Sequence, residues 1–247
     1  MSWIPSLFRS KNRAAYDLSD LGVDMHSHLI PGIDDGSNSI DHTIGMLLKF
    51  KELGYKKVIT TPHIMSDLYK NTPQIINKGL AEVRKEIEKL NIDIEIDAAA
   101  EYFTDSHFLD LIEEDNLLTF AGNKVLFEFS FAAKPMQVDE TIFALKTNGY
   151  QPILAHFERY SFFLDNGVAA AEEFKKRGVD IQMNLNSLTG HYGLAIKKQA
   201  QLLVDHQLVD YVGTDCHRIE HLQLLENSLS EPYFSKLKAL QLKNRLL

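Results

Sequence analysis

Two histidines stand two residues apart in Asp24-Met-His26-Ser-His28, at the end of a run that reads as a β-strand. Side chains alternate along a strand, so both imidazoles project to one side. Asp34-Asp35-Gly36 follows shortly and offers one or two further oxygens. Five of the six later candidate strands also end on, or run into, a group that binds cations. Thr60-Thr-Pro-His63 follows the second, Ala99-Ala-Glu101 the third, Phe127-Glu128 the fourth, Ala155-His156-Phe-Glu-Arg159 the fifth, and Thr214-Asp215-Cys-His217 the last. Imidazoles with carboxylates, and no thiolate cluster, suit Zn²⁺, Mn²⁺ or Fe²⁺ rather than Ca²⁺ or an iron–sulfur centre. The candidate ligands are His26, His28, Asp35, His63, Glu101, Glu128, His156, Asp215 and His217. A single ion with an open position needs only three or four protein ligands. A set this large suits two or three ions sharing bridging carboxylates, with pairs ~3.5–4 Å apart as in phosphoester hydrolysis. Taken singly, His63 and His156 read as turn residues, Asp215 as a helix cap and Glu101 as a rim ion-pair partner. What favours ligation is their coincidence at one end of successive strands.

The elements that must position these groups alternate. Short β-branched runs at Leu21–His28, Lys57–Thr61, Asp93–Ala98, Val125–Phe129, Pro152–His156, Asp180–Asn184 and Tyr211–Thr214 read as strands, separated by segments of helical period. Ile76, Leu80, Val83, Ile87 and Leu90 share a helix face, and Thr72-Pro73 supplies an N-cap followed by proline at the first helical position. Gly149 and Gly178 stand where two helices should stop. Such alternation predicts an α/β protein with parallel strands inside and helices outside, either a barrel or a doubly wound sheet. In a barrel all the candidate ligands fall on the C-terminal face, where active sites lie. His42, His107, His191, His206 and His221 fall in helical or loop segments and read as surface or core.

The 247 residues suit one large domain, expected over 21–247, preceded by an arm at 1–20. In that arm Trp3, Ile4, Leu7 and Phe8 sit beside Arg9, Lys11 and Arg13. It reads either as a segment that caps the core or frays, or as a basic amphipathic patch for a membrane surface or partner. A net charge of −8 argues against nucleic acid as the main partner. The single cysteine, Cys216, excludes an intramolecular disulfide. It also heads no phosphate loop, because a thiol phosphatase would carry arginine where Leu222 stands, so it reads as packing. No apolar run is long enough to span a bilayer and no secretory leader is evident, so a cytoplasmic protein is expected. Neither glycine-rich nucleotide motif is present.

The ordered series H-x-H, Asp-Asp-Gly, Thr-Pro-His, Ala-Glu-Tyr, Phe-Glu-Phe-Ser, Ala-His-Phe-Glu-Arg-Tyr, Thr-Asp-Cys-His resembles the PHP (polymerase and histidinol phosphatase) superfamily. Asp24–Ser37 and Ala155–Tyr160 are similar to the CpsB/CapC-type bacterial protein-tyrosine phosphatases, which accompany the tyrosine kinases of capsule and exopolysaccharide export. The resemblance runs from about Gly22 to the C-terminal helix. It implies a distorted seven-stranded (β/α) barrel and a trinuclear site, usually credited with Mn²⁺, with Fe, Zn, Co or Mg as further candidates. It further implies that His26, His28, Glu101 and Asp215 hold one ion, with Glu101 bridging to a second held by Glu128 and His156. Asp35, His63 and His217 would hold the third. Arg159 would bind the phosphate, and the substrate would be a phosphotyrosyl protein, namely a membrane-associated bacterial tyrosine kinase. The histidinol-phosphate branch carries a histidine where Glu128 stands, so that activity is the weaker alternative. A non-catalytic phosphotyrosine-binding module is a second alternative. Gram-positive relatives carry basic residues at Ile64-Met65-Ser66 and an arginine at Leu222. Those apolar replacements are expected to leave recognition to Arg159 and to offer surface to an aromatic ring.

Overall fold

The computed structural model describes residues 18–131 and 133–247. The arm at 1–20 therefore lies outside the described residues, except for a 3₁₀ turn, Leu18–Asp20, whose Leu18 is buried. The strands are β1 (Val23–Asp24), β2 (Lys57–Thr60), β3 (His63–Ile64), β4 (Glu95–Ala98), β5 (Glu101–Phe103), β6 (Lys124–Glu128), β7 (Gln151–Leu154), β8 (Asp180–Asn184) and β9 (Tyr211–Gly213). The helices are α1 (Ile40–Glu52), α2 (Pro73–Lys89), α3 (Ser106–Glu113), α4 (Val138–Thr147), α5 (Gly167–Lys176), α6 (Leu194–Asp205), α7 (Ile219–Ser228) and α8 (Pro232–Leu237).

All ladders are parallel, in two sheets ordered β1-β2-β4 and β3-β5-β6-β7-β8-β9. The expected seven strands are nine among the described residues: short strands β3 and β5, not anticipated, continue the second and third beyond Thr61-Pro62 and Ala99-Ala100. Pro62 has no N–H to donate, and the His63 N–H turns to the Asp34 carboxylate rather than to a neighbouring strand. The first strand shrinks to two residues because Leu29 N–H and Thr61 N–H bond across to Thr60 Oγ1 and Ser27 O. Edges β1 and β9 face each other through a Ser27–Cys216 bridge at one end. At the other, Asn244 bonds Val212 N–H and O and Val23 O, closing unpaired backbone groups.

Alternation along the strands separates two cores. Val58, Val125, Phe127, Leu154 and Val212 face the helices, whereas Ile59, Leu126, Ile153 and Tyr211 join Met25 and Ala99 in a smaller cluster on the concave side. On α2, Thr72 Oγ1 accepts the Ile75 N–H, and Ile76, Leu80, Val83 and Ile87 are buried. Leu90, expected on that face, is instead the C-cap and 48% exposed, because the helix has already ended. Gly149 and Gly178 adopt φ of 81° and 78° after α4 and α5, the left-handed turn that glycine takes without steric cost.

Candidate metal centre

The nine candidate ligands lie in one connected group, drawn from the chain just after β1, the starts of β3 and β5, the end of β6 and the turns after β7 and β9. Glu101, which opens β5, sits at the middle. Its Oε1 is 2.9 Å from His156 Nε2, and its Oε2 is 3.2 Å from both His26 Nε2 and His63 Nδ1. Glu128, ending β6, places Oε1 3.1 Å from His63 Nδ1 and Oε2 3.6 Å from His156 Nε2. Asp215 Oδ1 is 3.5 Å from His26 Nε2 and from His28 Nε2. Asp35 Oδ1 closes the group, 3.6 Å from His63 Nε2 and 3.5 Å from His217 Nε2. Ligand atoms gather within 4.8 Å of one another in four overlapping sets: His28–Asp35–His63–His217, His26–His28–Glu101, His26–His156–Asp215 and His63–Glu101–Glu128.

Backbone geometry explains part of the convergence. His156 and Asp215, just beyond β7 and β9, have φ of 32° and 52°, a left-handed bend that turns each side chain into the group. Histidine and aspartate tolerate this conformation better than branched residues. Gly36 is required for a different reason: a Cβ there would lie 2.3 Å from His28 O, where the Asp34-Asp35-Gly36 loop folds back on the first strand.

The chain fits a divalent cation on two observations. Glu101 Oε2 and His63 Nδ1 are both buried without a hydrogen bond, although they face each other across 3.2 Å. Buried polar atoms are rarely left so. In addition, the far nitrogens of three histidines are already engaged. His26 Nδ1 meets Gln182 Oε1 at 3.2 Å, His28 Nδ1 meets Asp34 Oδ2 at 2.9 Å, and His217 Nδ1 meets Asp215 O at 3.0 Å. Each arrangement leaves Nε2 directed at the carboxylates, the orientation a metal-bound imidazole needs. Electrostatics agree. Burial works against protonating His26, yet Glu101 and Asp215 outweigh it and raise its pKa to about 9. Asp35 is lowered to about 2, chiefly by its hydrogen bond to His217. A site that draws protons so strongly has the charge to draw a cation in their place.

Several participants were not legible as such in the sequence. Gln182 Oε1 also accepts the His156 N–H at 2.6 Å, and Gln182 Nε2 donates to Asn184 Oδ1 at 2.9 Å. Asn184 Nδ2 donates to Asp215 Oδ2 at 2.7 Å, so β8 supplies a polar relay under the ligands. Glu158, fully buried, accepts from Asn184 N–H and Ser187 Oγ and has its pKa raised by burial. The i, i+2 spacing of Gln182 and Asn184 was the available signal. His191 and His221, expected at the surface or in the core, both line the ≈ 420 Å³ cavity over the ligands. His221 is brought there by α7 packing against the Asp215 turn, and burial lowers its pKa to about 4.

Arg159 reaches over the group, its Nη1 2.8 Å from Asp215 Oδ2. Its guanidinium lies between the rings of Phe131 and Tyr192, 4.6 and 4.3 Å from their centroids. Cys216 is fully buried, with Sγ 3.6 Å from Met46 Sδ, and burial holds its thiol well above the ordinary range. It is not poised as a nucleophile. Ile64 and Leu222, expected to face a ligand, are 3% and 0% exposed and belong to the core. Met65, by contrast, lines a cavity.

This parallel α/β frame with ligands at its strand ends has relatives among solved structures. A chain from the work on YwqE of Bacillus subtilis and CpsB of Streptococcus pneumoniae, described as unique metal-dependent tyrosine phosphatases, superposes with a TM-score of 0.75 at 24% identity, covering 89% of this chain and 96% of that one. The lactonase Lmo2620 of Listeria monocytogenes superposes with a TM-score of 0.54 at 14% identity, covering 92% and 91%. Residues 22–224 match the family described as Capsular polysaccharide synthesis, CpsB/CapC, and the chain belongs to that family. Among its relatives, tyrosine-protein phosphatase YwqE of Bacillus subtilis is 26% identical over 199 residues, spanning 80% of this chain and 78% of the relative. Tyrosine-protein phosphatase CpsB of Streptococcus pneumoniae is 24% identical over 224 residues, spanning 87% and 92%.

Proposed function

We propose that this protein is a metal-dependent protein-tyrosine phosphatase, acting in the cytoplasm on the phosphotyrosine tail of a bacterial tyrosine kinase in capsule or exopolysaccharide export. The observation that carries the reading is the convergence of nine imidazoles and carboxylates in one group, seven of them lining a cavity that Arg159 overhangs. The family and its named relatives support the substrate class. We read the two sheets as one distorted barrel of seven strand positions, and residues 21–247 as one catalytic unit. His26, His28, Glu101 and Asp215 would hold one ion, Glu101, Glu128 and His156 a second, and Asp35, His63 and His217 a third, with Mn²⁺ the proposed metal.

When bound, such ions supply positive charge and an activated water near the phosphorus. The rest belongs to the chain. Asp215 commits Oδ2 to Asn184 and Arg159 and turns Oδ1 to the histidines, so one carboxylate serves both ligation and positioning. The planar Arg159 fork can pair two equatorial phosphate oxygens at once, balancing charge that grows in the transition state. A phenolate leaving group, pKa ~10, departs with little protonation.

The test is steady-state turnover of a phosphotyrosyl peptide, phosphoserine and histidinol phosphate by protein stripped with a chelator and then given Mn²⁺. Stripped protein should be inactive and Mn²⁺ should restore activity, highest on phosphotyrosine. His26→Ala should remove activity by orders of magnitude while the circular dichroism spectrum is kept. Full turnover by demonstrably metal-free protein would refute the reading. A preference for histidinol phosphate would move it to the small-molecule branch, and absence of all turnover with metal bound would leave a binding module.

A further inference from the structure

β3 directs Ile64 into the core, and the chain then leaves the sheet through Met65, Leu68 and Tyr69 before α2 begins. Asn71 Nδ2 ties this segment down by donating to His63 O and Ile33 O at 2.8 and 3.0 Å. The result is a second cavity of ≈ 400 Å³, which shares Asp35, His63, Glu128 and Phe131 with the cavity over the candidate metal ligands. Its remaining walls are mostly apolar or aromatic, Met65, Leu68, Tyr69, Phe103 and Phe129, with the polar Ser130 beside them. The Tyr69 ring stacks on His63, centroids 5.4 Å apart and planes 12° from parallel, so an aromatic surface begins at the candidate ligands themselves. Leu68 is 71% exposed and Phe131 40%, an exposure of apolar side chains that folding alone does not reward.

The wall on the other side of the ligands is opposite in kind, with Arg159 and Arg218 presenting guanidinium groups. A dianionic phosphoryl group belongs on the cationic side and over the ligands. A flat apolar group bonded to it belongs on the side of Met65, Leu68 and Tyr69, where ring faces and a thioether offer favourable contact. We infer that this second cavity is the subsite for the phenyl ring of an aryl phosphate, set next to the metal centre so that ring and phosphoryl group are bound together. The inference rests on the phosphotyrosine reading and names the residues that would enforce it. Leu68, Met65 and Tyr69 are then specificity-determining, whereas Arg159 recognises any phosphate.

The experiment titrates Mn²⁺-loaded wild type and the Met65→Ser/Leu68→Ser double variant with phenylphosphonate and methylphosphonate by calorimetry, with metal content measured on each. Wild type should bind the phenyl compound more tightly, and the double variant should lose roughly tenfold of that preference by exposing apolar contact area. Methylphosphonate affinity should change little. Phe143→Ser, on the exposed face of α4, should keep the full preference. An unchanged preference in the double variant, or equal loss for both phosphonates with metal content intact, would overturn the subsite. Turnover of phosphotyrosyl peptide by wild type would in either case leave the phosphatase reading standing. A wild type that neither prefers the phenyl compound nor turns over the peptide would overturn both.

Discussion

Arg159 shows how much of a residue's chemistry is set by its neighbours. Its guanidinium bonds Asp215 and lies over the rings of Phe131 and Tyr192, so its fork is aimed before a phosphate arrives. A lysine ammonium is a point charge that can neither fill the slot between two rings nor bond two oxygens in one plane. Arg159→Lys is therefore expected to lower kcat/KM on phosphotyrosyl peptide by roughly ten- to a thousandfold, taking charge-assisted hydrogen bonds at about 1.5–3 kcal/mol each. The rings can be tested separately. Tyr192→Phe keeps the face over the guanidinium and should retain most activity. Tyr192→Ala should lose roughly three- to thirtyfold, in line with a cation–π contact of ~0.5–2 kcal/mol. Equal activity of the two Tyr192 variants would show that the ring does not aim Arg159.

At the scale of elements, the site depends on strands that approach one another closely. Gly213 in β9 passes so near the first strand that a Cβ there would lie 2.6 Å from His26 Cβ. Gly213→Ala is expected to displace His26, weakening Mn²⁺ binding at least about tenfold, since neighbours that orient a ligand are worth 10- to 100-fold in affinity. Metal titration followed by calorimetry checks this, and wild-type affinity in the variant would contradict it. The register runs unchanged through the interruptions of the second and third strands, with Thr60 opposite Ala98 and His63 opposite Glu101, so the two candidate ligands stand side by side as opening residues of β3 and β5. The His63 N–H bonds the Asp34 carboxylate, which also meets His28 Nδ1.

For the whole molecule, the centre concentrates buried ionisable groups on one face. His26, His28 and Glu101 are 0% exposed, Asp215 4% and Glu128 4%. Metal that binds this folded arrangement and not the unfolded chain stabilises the fold by mass action, about 2.7 kcal/mol at a hundredfold excess over Kd. Mn²⁺ is therefore expected to raise the melting temperature of stripped protein by several degrees, roughly 2–4 °C per kcal/mol for a chain of this size. Thermal melts with and without Mn²⁺ check it, and an unchanged Tm at saturating Mn²⁺ would contradict it. Among the described residues no helix is long and apolar enough to cross a membrane.

The strand-by-strand placement of the candidate ligands His26, His28, His63, Glu101, Glu128, His156, Asp215 and His217 was legible because period-two runs mark strand ends locally, and sites in parallel α/β folds gather there. Helix limits at Thr72-Pro73, Gly149 and Gly178 were legible for the same reason: caps and left-handed turns are local chemistry. The breaks at Pro62 and Ala99-Ala100 depend instead on where neighbouring backbone donors go. The facing of Ile64 and Leu222 into the core, and of His191 and His221 toward the cavity, depends on how helices pack around the strands. Gln182, Asn184 and Glu158 look like ordinary strand and turn residues until β8 is set beside His26 and Asp215. Local pattern determines which residues can ligate or cap, because those properties belong to a side chain and its chain neighbours. Which groups aim the ligands, and which walls meet a substrate, only the tertiary structure decides, because those contacts join residues far apart in the chain.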